Sequence, residues 1–180
     1  MKILVVSDTH GNLSRFYEVF KKEKNIDMVI HLGDFEEDAM QISKRIQIPV
    51  NYVKGNCDGA IRKQDCSQVL DTEYGKIFLT HGHLDGVSYD ITNLIYRSQE
   101  LGCCVALFGH THMAYNEEAD GIKLVNPGSL VRPRDGSDGT YGILEITKDS
   151  FVATIKNYEK PKAKAEGGFI RGIINYSDRF

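Results

Sequence analysis

The sequence lacks an excess of basic residues, a long apolar run and a paired-cysteine motif. With 22 lysine and arginine residues against 25 aspartate and glutamate residues, it has no surplus of positive charge of the kind that marks a nucleic-acid-binding surface. No apolar run reaches the roughly 18 residues that a membrane-spanning helix needs, and the run after Met1 and Lys2 is too short for a signal-peptide core. We therefore expect a cytoplasmic protein that has no membrane partner and no strong nucleic-acid signature.

The cysteines and the chain length favour a small intracellular domain. Cys57, Cys66, Cys103 and Cys104 show no CxxC spacing, so we expect reduced thiols, the last three serving as packing residues. A chain of 180 residues fits one domain that buries roughly 70% of its unfolded surface. We predict a single domain over residues 1–159 and a linker and tail over residues 160–180. The tail docks either on its own domain or on a neighbouring subunit, so a homo-oligomer stays open.

Strand and helix patterns alternate along most of the chain. Apolar runs with β-branched residues predict strands over residues 2–7, 28–32, 50–53 and 103–108, and a hairpin over residues 69–80. Helical spacing is found from Leu13 to Phe20, over residues 36–46 with Met40, Ile42 and Ile46 as apolar positions, and over residues 90–101. Beyond His112 the pattern predicts strands over residues 113–117, 122–125, 140–146 and 151–158. We expect this last part to be mainly antiparallel.

Short glycine-bearing polar segments follow the predicted strands, and they hold five of the six histidines. The segments are Asp8-Thr9-His10-Gly11, Gly33-Asp34, Gly55-Asn56, His81-Gly82-His83 and Gly109-His110-Thr111-His112. Ligands of α/β proteins gather beyond the carboxyl ends of the strands, so we predict one shared cleft. In an extended backbone, residues two apart such as Asp8 and His10 project to the same side. Imidazole and carboxylate groups suit divalent metals such as Zn, Mn, Fe or Ni, and the set predicts a two-metal hydrolytic site.

Taken in order, these segments resemble the calcineurin-like metallophosphoesterases, and within them the small bacterial and archaeal YfcE-type phosphodiesterases. The segment Asn126-Pro127-Gly128-Ser129 is similar to a late motif of that group, and the match spans nearly the whole chain. The resemblance implies an α/β fold, a four-layer αββα sandwich in which two mixed β-sheets meet face to face. It also implies a divalent-metal-dependent phosphodiesterase that hydrolyses a small phosphate-ester substrate by attack of a hydroxide bridging two metal ions.

Carried over residue by residue, the family pattern implies two metal-binding sets that share one carboxylate. Asp8, His10 and His112 would hold one ion, and Asn56, His81 and His110 the other. Asp34 would bridge the two ions. We expect Mn²⁺, with Ni²⁺, Zn²⁺, Fe or Mg²⁺ as alternatives, since the ligand set suits several divalent cations.

The catalytic residues that we predict beyond the metal ligands are Asn56, Cys57 and His83. In the wider superfamily, the residue after the motif's Asn is usually a histidine that protonates the leaving group or contacts phosphate. Here it is Cys57, whose thiol is a weak hydrogen-bond donor. We therefore predict slow turnover of esters with basic leaving groups. His83 faces the substrate as an acid, or it lies behind the site or towards solvent, and both readings stay open.

Four further residues could have either a structural or a functional role. We expect His31 to be a core or supporting histidine, because its strand parity points it away from Asp34. Asn12 binds phosphate or caps the helix near Leu13, and capping is favoured. Arg132 and Arg134 could clamp a phosphate, although arginines in a polar loop usually have no such specific role.

Two other functions compete with the phosphodiesterase. A phosphomonoesterase or nucleotide phosphohydrolase could use the same ligands, because the ligands recognise the phosphoryl group and not its substituent. A protein-binding scaffold of the retromer-subunit type shares the fold but has a degraded metal site. The presence of His10, His81, His110 and His112 disfavours the scaffold.

Overall fold

The computed structural model describes residues 1–59 and 62–160, which form ten strands and three α-helices. The strands are β1 (Lys2–Val6), β2 (Met28–His31), β3 (Val50–Tyr52), β4 (Ser67–Asp71), β5 (Lys76–Thr80), β6 (Val105–Leu107), β7 (Ala114–Ala119), β8 (Ile122–Pro127), β9 (Thr140–Thr147) and β10 (Ser150–Asn157). The helices are α1 (Ser14–Lys22), α2 (Glu36–Arg45) and α3 (Thr92–Glu100). In these ranges no helix has both the length and the apolar character needed to cross a membrane. Of the predicted tail, only Lys160 lies within the described residues.

The strands form two five-stranded sheets that each mix parallel and antiparallel pairs. The first sheet has the order β10-β9-β1-β2-β3, and the second has the order β4-β5-β6-β8-β7. Strands β1, β2 and β3 run parallel to one another, and so do β5, β6 and β8. The chain beyond His112 was predicted to be mainly antiparallel, and this holds for β7 with β8 and for β9 with β10. The parallel pairing of β8 with β6 is the exception.

Three apolar clusters divide the molecule into four layers. Successive side chains of a strand point to opposite faces, so in β1 Ile3 and Val5 belong to one cluster whereas Leu4 and Val6 belong to another. The first cluster contains residues of both sheets and fills the space between them. The second packs the outer face of the first sheet against α1 and α2, and the third packs the second sheet against α3. The predicted αββα sandwich is therefore confirmed.

Helix α2 differs from its predicted pattern on one face. Ile42 is fully buried as expected, but Met40 is 42% exposed and the carboxylate of Asp38 is buried in its place. Asp38 lies one turn before Ile42 on the same side of the helix, so a polar group occupies a position on the buried face. Its partners belong to the site described next.

Candidate metal centre

Loops from both sheets meet at one end of the sandwich and form a cleft of about 490 Å³. We call it the metal cleft, and it is lined by His10, Asp34, Asn56, Cys57, His110, His112, Arg132, Pro133 and Arg134. These loops follow β1, β2 and β3 of the first sheet and β5 and β6 of the second, because the carboxyl ends of these strands lie on the same side. Asp8 and His81 are fully buried. Four of the five predicted segments thus contribute residues to one cleft, and His81 of the fifth lies beside Asn56 and Asp34.

The backbone of these loops corrects one step of the sequence argument. Asp8, His10, His110 and His112 have φ angles of 55°, 46°, 69° and 58°, so neither pair lies on an extended backbone. Asp34 has a φ angle of 56° as well. The left-handed region costs a residue with a Cβ roughly 1 kcal/mol, a cost that persists at functional sites when the surrounding structure imposes it. Tight turns, and not strand alternation, thus bring these side chains together.

Four side chains converge on one side of the metal cleft. One ligand atom each from Asp8, His10, Asp34 and His112 lies within 4.8 Å of all the others. Nε2 of His112 lies 3.3 Å from Oδ1 of Asp8 and 3.3 Å from Nε2 of His10. Adjacent ligands in a tetrahedral site with metal–ligand distances of about 2.1 Å are about 3.4 Å apart. The observed spacing therefore suits three ligands around one cation.

The other side of the cleft is built around His81. Its Nε2 lies 3.1 Å from Oδ1 of Asn56 and 3.3 Å from Oδ1 of Asp34, and its ring centroid is 5.1 Å from that of His110. The second oxygen of Asp34, Oδ2, lies 3.8 Å from Nε2 of His10. The two carboxylate oxygens of Asp34 thus face the two different sets.

Backbone carbonyls orient two of the imidazole rings. Nδ1 of His81 lies 2.8 Å from the carbonyl oxygen of Leu32, and Nδ1 of His112 lies 2.8 Å from that of Arg132. A carbonyl accepts only, so each Nδ1 carries the proton that it donates, and in the neutral ring Nε2 is left with a lone pair facing the cleft. A carbonyl partner on the remote ring nitrogen is typical of histidines that bind metals.

Asp8 has a buried oxygen that suits a cation. Its Oδ2 accepts hydrogen bonds from Oγ of Ser7 at 2.6 Å and from the backbone nitrogen of His110 at 3.1 Å. Its Oδ1 is buried and has no hydrogen-bond partner, although His112 lies close by. Burial raises the pKa of Asp8, but His112, His81 and Ser7 outweigh it, so the pKa is lowered and the group is a carboxylate. The donor set therefore fits a divalent metal ion.

Comparison with known proteins agrees with this geometry. A family model for the calcineurin-like phosphoesterase superfamily domain matches residues 1–149. The chain belongs to the calcineurin-like phosphoesterase superfamily. It is 37% identical over 161 residues to a probable metallophosphoesterase of Bacillus subtilis, covering 89% of this chain and 92% of the relative. It is 30% identical over 182 residues to the phosphodiesterase YfcE of Escherichia coli K12, covering 85% and 92%.

The fold is also found in a solved structure that carries a different protein name. A structure of Vps29 from Entamoeba histolytica complexed with Zn²⁺ matches with a TM-score of 0.69 at 21% identity, covering 88% of this chain and all of that one. At this identity the likeness concerns the fold alone. The activity must therefore be argued from the side chains of the cleft.

Cys57 lines the metal cleft, as the sequence suggested. Its backbone nitrogen donates a hydrogen bond of 3.0 Å to Oδ1 of Asp34. Although the residue as a whole is exposed, partial burial of its thiol, together with the neighbouring Asp34 carboxylate, raises the pKa of Cys57 to about 11. In the metal-free protein the thiol therefore stays protonated at neutral pH.

His83 is not among the residues that line the metal cleft. Its ring centroid lies 5.3 Å from that of His81, and its Nε2 lies 4.0 Å from Sγ of Cys66. Its Nδ1 is buried without a hydrogen-bond partner. Burial lowers the pKa of His83, as it does those of His10 and His110, so neutral rings are favoured. This position favours a supporting role, and the role of His83 as an acid stays a prediction.

A buried hydrogen-bond network lies beneath the first set of proposed ligands, Asp8, His10 and His112. It includes Asp38, which the sequence argument missed. Oγ1 of Thr9 donates to Oδ2 of Asp38 at 2.6 Å and lies 2.9 Å from Nε2 of His31. The hydroxyl has one proton, so His31 donates through Nε2 while its Nδ1 accepts from the backbone of Gly33 at 3.3 Å. His31 is thus a neutral core histidine, as predicted, and burial lowers its pKa to about 4. Nothing in the pattern of α2 marked Asp38 as buried.

The late motif braces loops of both sheets. Oγ of Ser129 donates to the carbonyl oxygen of Asp8 at 2.9 Å, and Nδ2 of Asn126 donates to that of Gly109 at 2.9 Å. A Cβ at Gly109 would collide with Oγ of Ser7, so only glycine permits the two loops to approach. At Gly33, a Cβ would lie 2.7 Å from Nδ1 of His81, and the φ angle of 97° also favours glycine. The glycines of the motifs therefore serve close packing around the ligands.

The remaining candidates are placed as follows. Oδ1 of Asn12 accepts hydrogen bonds from the backbone nitrogen of Ser14 at 3.2 Å and from its hydroxyl at 2.6 Å. Leu13, not Asn12, occupies the N-cap position of α1, so Asn12 supports the start of the helix from one residue earlier. Arg132 and Arg134 both line the metal cleft. The two arginines therefore lie at the candidate site, which their place in a polar loop did not by itself indicate.

Proposed function

We propose that the protein is a phosphodiesterase that uses two divalent metal ions, with Mn²⁺ as the expected metal. Asp8, His10 and His112 would hold one ion, Asn56, His81 and His110 the other, and Asp34 would bridge them. The observation that carries the proposal is the convergence of ligand atoms from Asp8, His10, Asp34 and His112 within 4.8 Å. The opposite orientation of the two Asp34 oxygens supports a second ion beside the first.

The side chains divide the work of binding and orienting. When bound, two divalent ions supply a water molecule of lowered pKa and neutralise charge on the phosphoryl oxygens. Asp8 and Asp34 are the only carboxylates among the seven proposed ligands, so the loaded site keeps a positive charge for a phosphate ester. Arg132 and Arg134 add positive charge along the wall of the cleft. Asn56 would serve both as a ligand and as a contact to the substrate.

The leaving group is where this chain departs from the wider superfamily. Cys57 lies in the cleft with a protonated thiol of high pKa, and a thiol is a weak donor to a departing oxygen. We therefore propose that esters with good leaving groups are hydrolysed faster than esters with basic ones. A cytoplasmic location, with reduced thiols, and a small phosphate-ester substrate belong to the same proposal.

The competing functions differ in what they require of the ligands. A phosphomonoesterase or nucleotide phosphohydrolase would use the same residues, and substrate comparison separates it from the proposed function. A scaffold would not need Asp34 or the carbonyl-oriented histidines at all. Their retention supports an enzyme.

The decisive experiment measures hydrolysis of an activated aryl phosphodiester by metal-stripped protein before and after addition of Mn²⁺ or Ni²⁺. We expect activity to depend on added metal and to be lost in Asp34→Ala, which removes the shared carboxylate. The matched control is Asp149→Ala, in the exposed turn between β9 and β10, which should retain activity. Activity that survives both stripping and Asp34→Ala would refute the metal mechanism.

A further inference from the structure

A second cavity adjoins the metal cleft and has a different chemical character. This apolar groove has a volume of about 340 Å³, and its apolar walls are formed by Val87, Ile91, Phe108, Met113 and Tyr115. Thr111 lines the groove, whereas its neighbours His110 and His112 line the metal cleft. The loop that carries the two histidines is therefore a wall with the metal cleft on one side and the groove on the other.

Arg134 lines both cavities and marks the passage between them. Its backbone nitrogen donates to the carbonyl oxygen of His112 at 3.0 Å, which fixes the start of the side chain relative to the metal ligand. None of the ion pairs found among the described residues involves its guanidinium. An unpaired arginine at this point suits an anionic ligand that extends from the cleft into the groove.

The walls of the groove suit a flat ring. The ring of Tyr115 is partly exposed, and the ring of Phe108, 2% exposed, lies 6.0 Å from it at an angle of 59°. Aromatic rings prefer such tilted arrangements with one another, so a further ring can add to the pair. Met113, half exposed at the groove, adds a flexible thioether that makes favourable contacts with aromatic rings. The volume is at the small end of the roughly 300 to 1,000 Å³ typical of ligand pockets, so one ring is a better fit than an extended chain.

We propose that the apolar groove binds an aromatic substituent of the phosphate ester whose phosphoryl group lies in the metal cleft. The preferred substrates would then be aryl esters. This inference rests on the proposed function, because the metal cleft must hold the phosphoryl group. It adds a specificity site that acts through burial of apolar surface and not through the metal ligands.

The test compares two phosphonates that carry the same anionic head and are not hydrolysed. Calorimetry on the metal-loaded full chain measures the dissociation constants of phenylphosphonate and methylphosphonate. Burying the ring should make phenylphosphonate bind roughly 10- to 30-fold more tightly, at about 25 cal/mol per Å² of apolar surface. In Met113→Ser and Ile91→Ser we expect this ratio to fall at least about threefold while methylphosphonate binding is unchanged.

The control is Met40→Ser on the outer surface of α2, which removes a methionine of similar exposure, 42% against 50% for Met113. Met40→Ser should keep the wild-type ratio. Equal affinity of the wild type for the two phosphonates would overturn the proposal, and so would equal ratios in Met113→Ser and Met40→Ser. Because Met113 is half exposed, its replacement leaves the core intact, and a thermal melt checks that Met113→Ser is folded.

The outcomes separate this inference from the proposed function. Metal-dependent hydrolysis of phosphodiesters without an aryl preference in binding would refute the groove proposal and support the proposed function. An aryl preference in phosphonate binding without any hydrolysis would refute the proposed function and support the groove proposal.

Discussion

The two sides of the metal cleft are built differently although they share Asp34. The first set has its own carboxylate, Asp8, with a buried oxygen that lacks a hydrogen-bond partner, and its ligand atoms converge within 4.8 Å. The second set has the neutral amide of Asn56 in the corresponding place, and Asn56 is exposed. A carboxylate binds a hard or borderline cation more strongly than an amide does. The comparison therefore predicts a tight first ion and a weaker second ion.

The largest expected effect comes from exchanging the distinguishing ligands one at a time. Asp8→Asn should lower the affinity for the first ion. The loss should exceed the roughly 10- to 100-fold that follows when a residue hydrogen-bonded to a metal ligand is replaced. Asn56→Ala should weaken the second ion and leave the first in place. Metal titration of stripped protein by calorimetry measures the two affinities. Equal losses of both ions in both variants would show that the two sides do not act separately.

A smaller effect is expected from the network beneath the first set. Thr9→Val removes the hydroxyl that joins Asp38 to His31 and frees the loop that carries Asp8 and His10. We expect the affinity of the first ion to fall about 10- to 100-fold and that of the second to change little. The comparison variant is Thr111→Val, in the loop between His110 and His112. The hydroxyl of Thr111 also takes part in a hydrogen bond, which it accepts from the side-chain amide of Asn126. A greater loss at the second ion in Thr9→Val would contradict the assignment.

The pH dependence of stability tests the neutral state of His31. Its pKa is about 4 in the folded protein and about 6.5 when unfolded, so the unfolded state takes up the proton first as pH falls. The stability from this residue is complete above about pH 6.5 and is lost towards pH 4, about 2 kcal/mol of it by pH 5. Urea unfolding of metal-free protein at pH 7.5 and 5, compared between the wild type and His31→Gln, isolates the effect. An identical pH dependence in the two proteins would refute it.

The smallest effect concerns Cys57, which lies beside the shared Asp34. Cys57→His places a better proton donor at the cleft and should raise turnover of alkyl esters relative to aryl esters by about 10-fold, less than the roughly 10²- to 10⁴-fold that a well-positioned acid contributes. Rates across esters of graded leaving-group pKa measure the change. Cys57→Ser, which has a hydroxyl of similar size, is the control. An unaltered leaving-group dependence in Cys57→His would separate this residue from the leaving group.

The proposed ligands stand out in the sequence because each follows a strong strand pattern, as Asp34 follows β2 and His81 follows β5. The conformation that unites them does not. Strand alternation does not indicate the left-handed turns at His10 and His110, and the backbone nitrogen of His110 is held by Asp8 from a distant loop. The burial of Asp38 was not predicted for a related reason. A carboxylate on a helix is usually exposed, and its buried partner Thr9 lies 29 residues away in the sequence.

The fold was predictable in its elements and less so in their pairing. The strands of the parallel βαβ part and the hairpins carry local patterns, but the insertion of β9 between β1 and β10 depends on contacts across most of the chain. The apolar groove was not predicted, because Val87 lies in a different connecting segment from Phe108 and Met113, and each alone has an ordinary packing pattern.

The bracing of the first loop by Ser129, and the pairing of β1 with β9, set an order of events during synthesis. Strand β1 is made first, yet Leu4 pairs with Ile143 and the carbonyl of Asp8 waits for Ser129. All seven proposed ligands have left the ribosome before either partner is available. A growing chain therefore carries the proposed ligands before the contacts that fix the first loop can form, and we expect the metal site to take shape only after Ser129 and Ile143 have emerged.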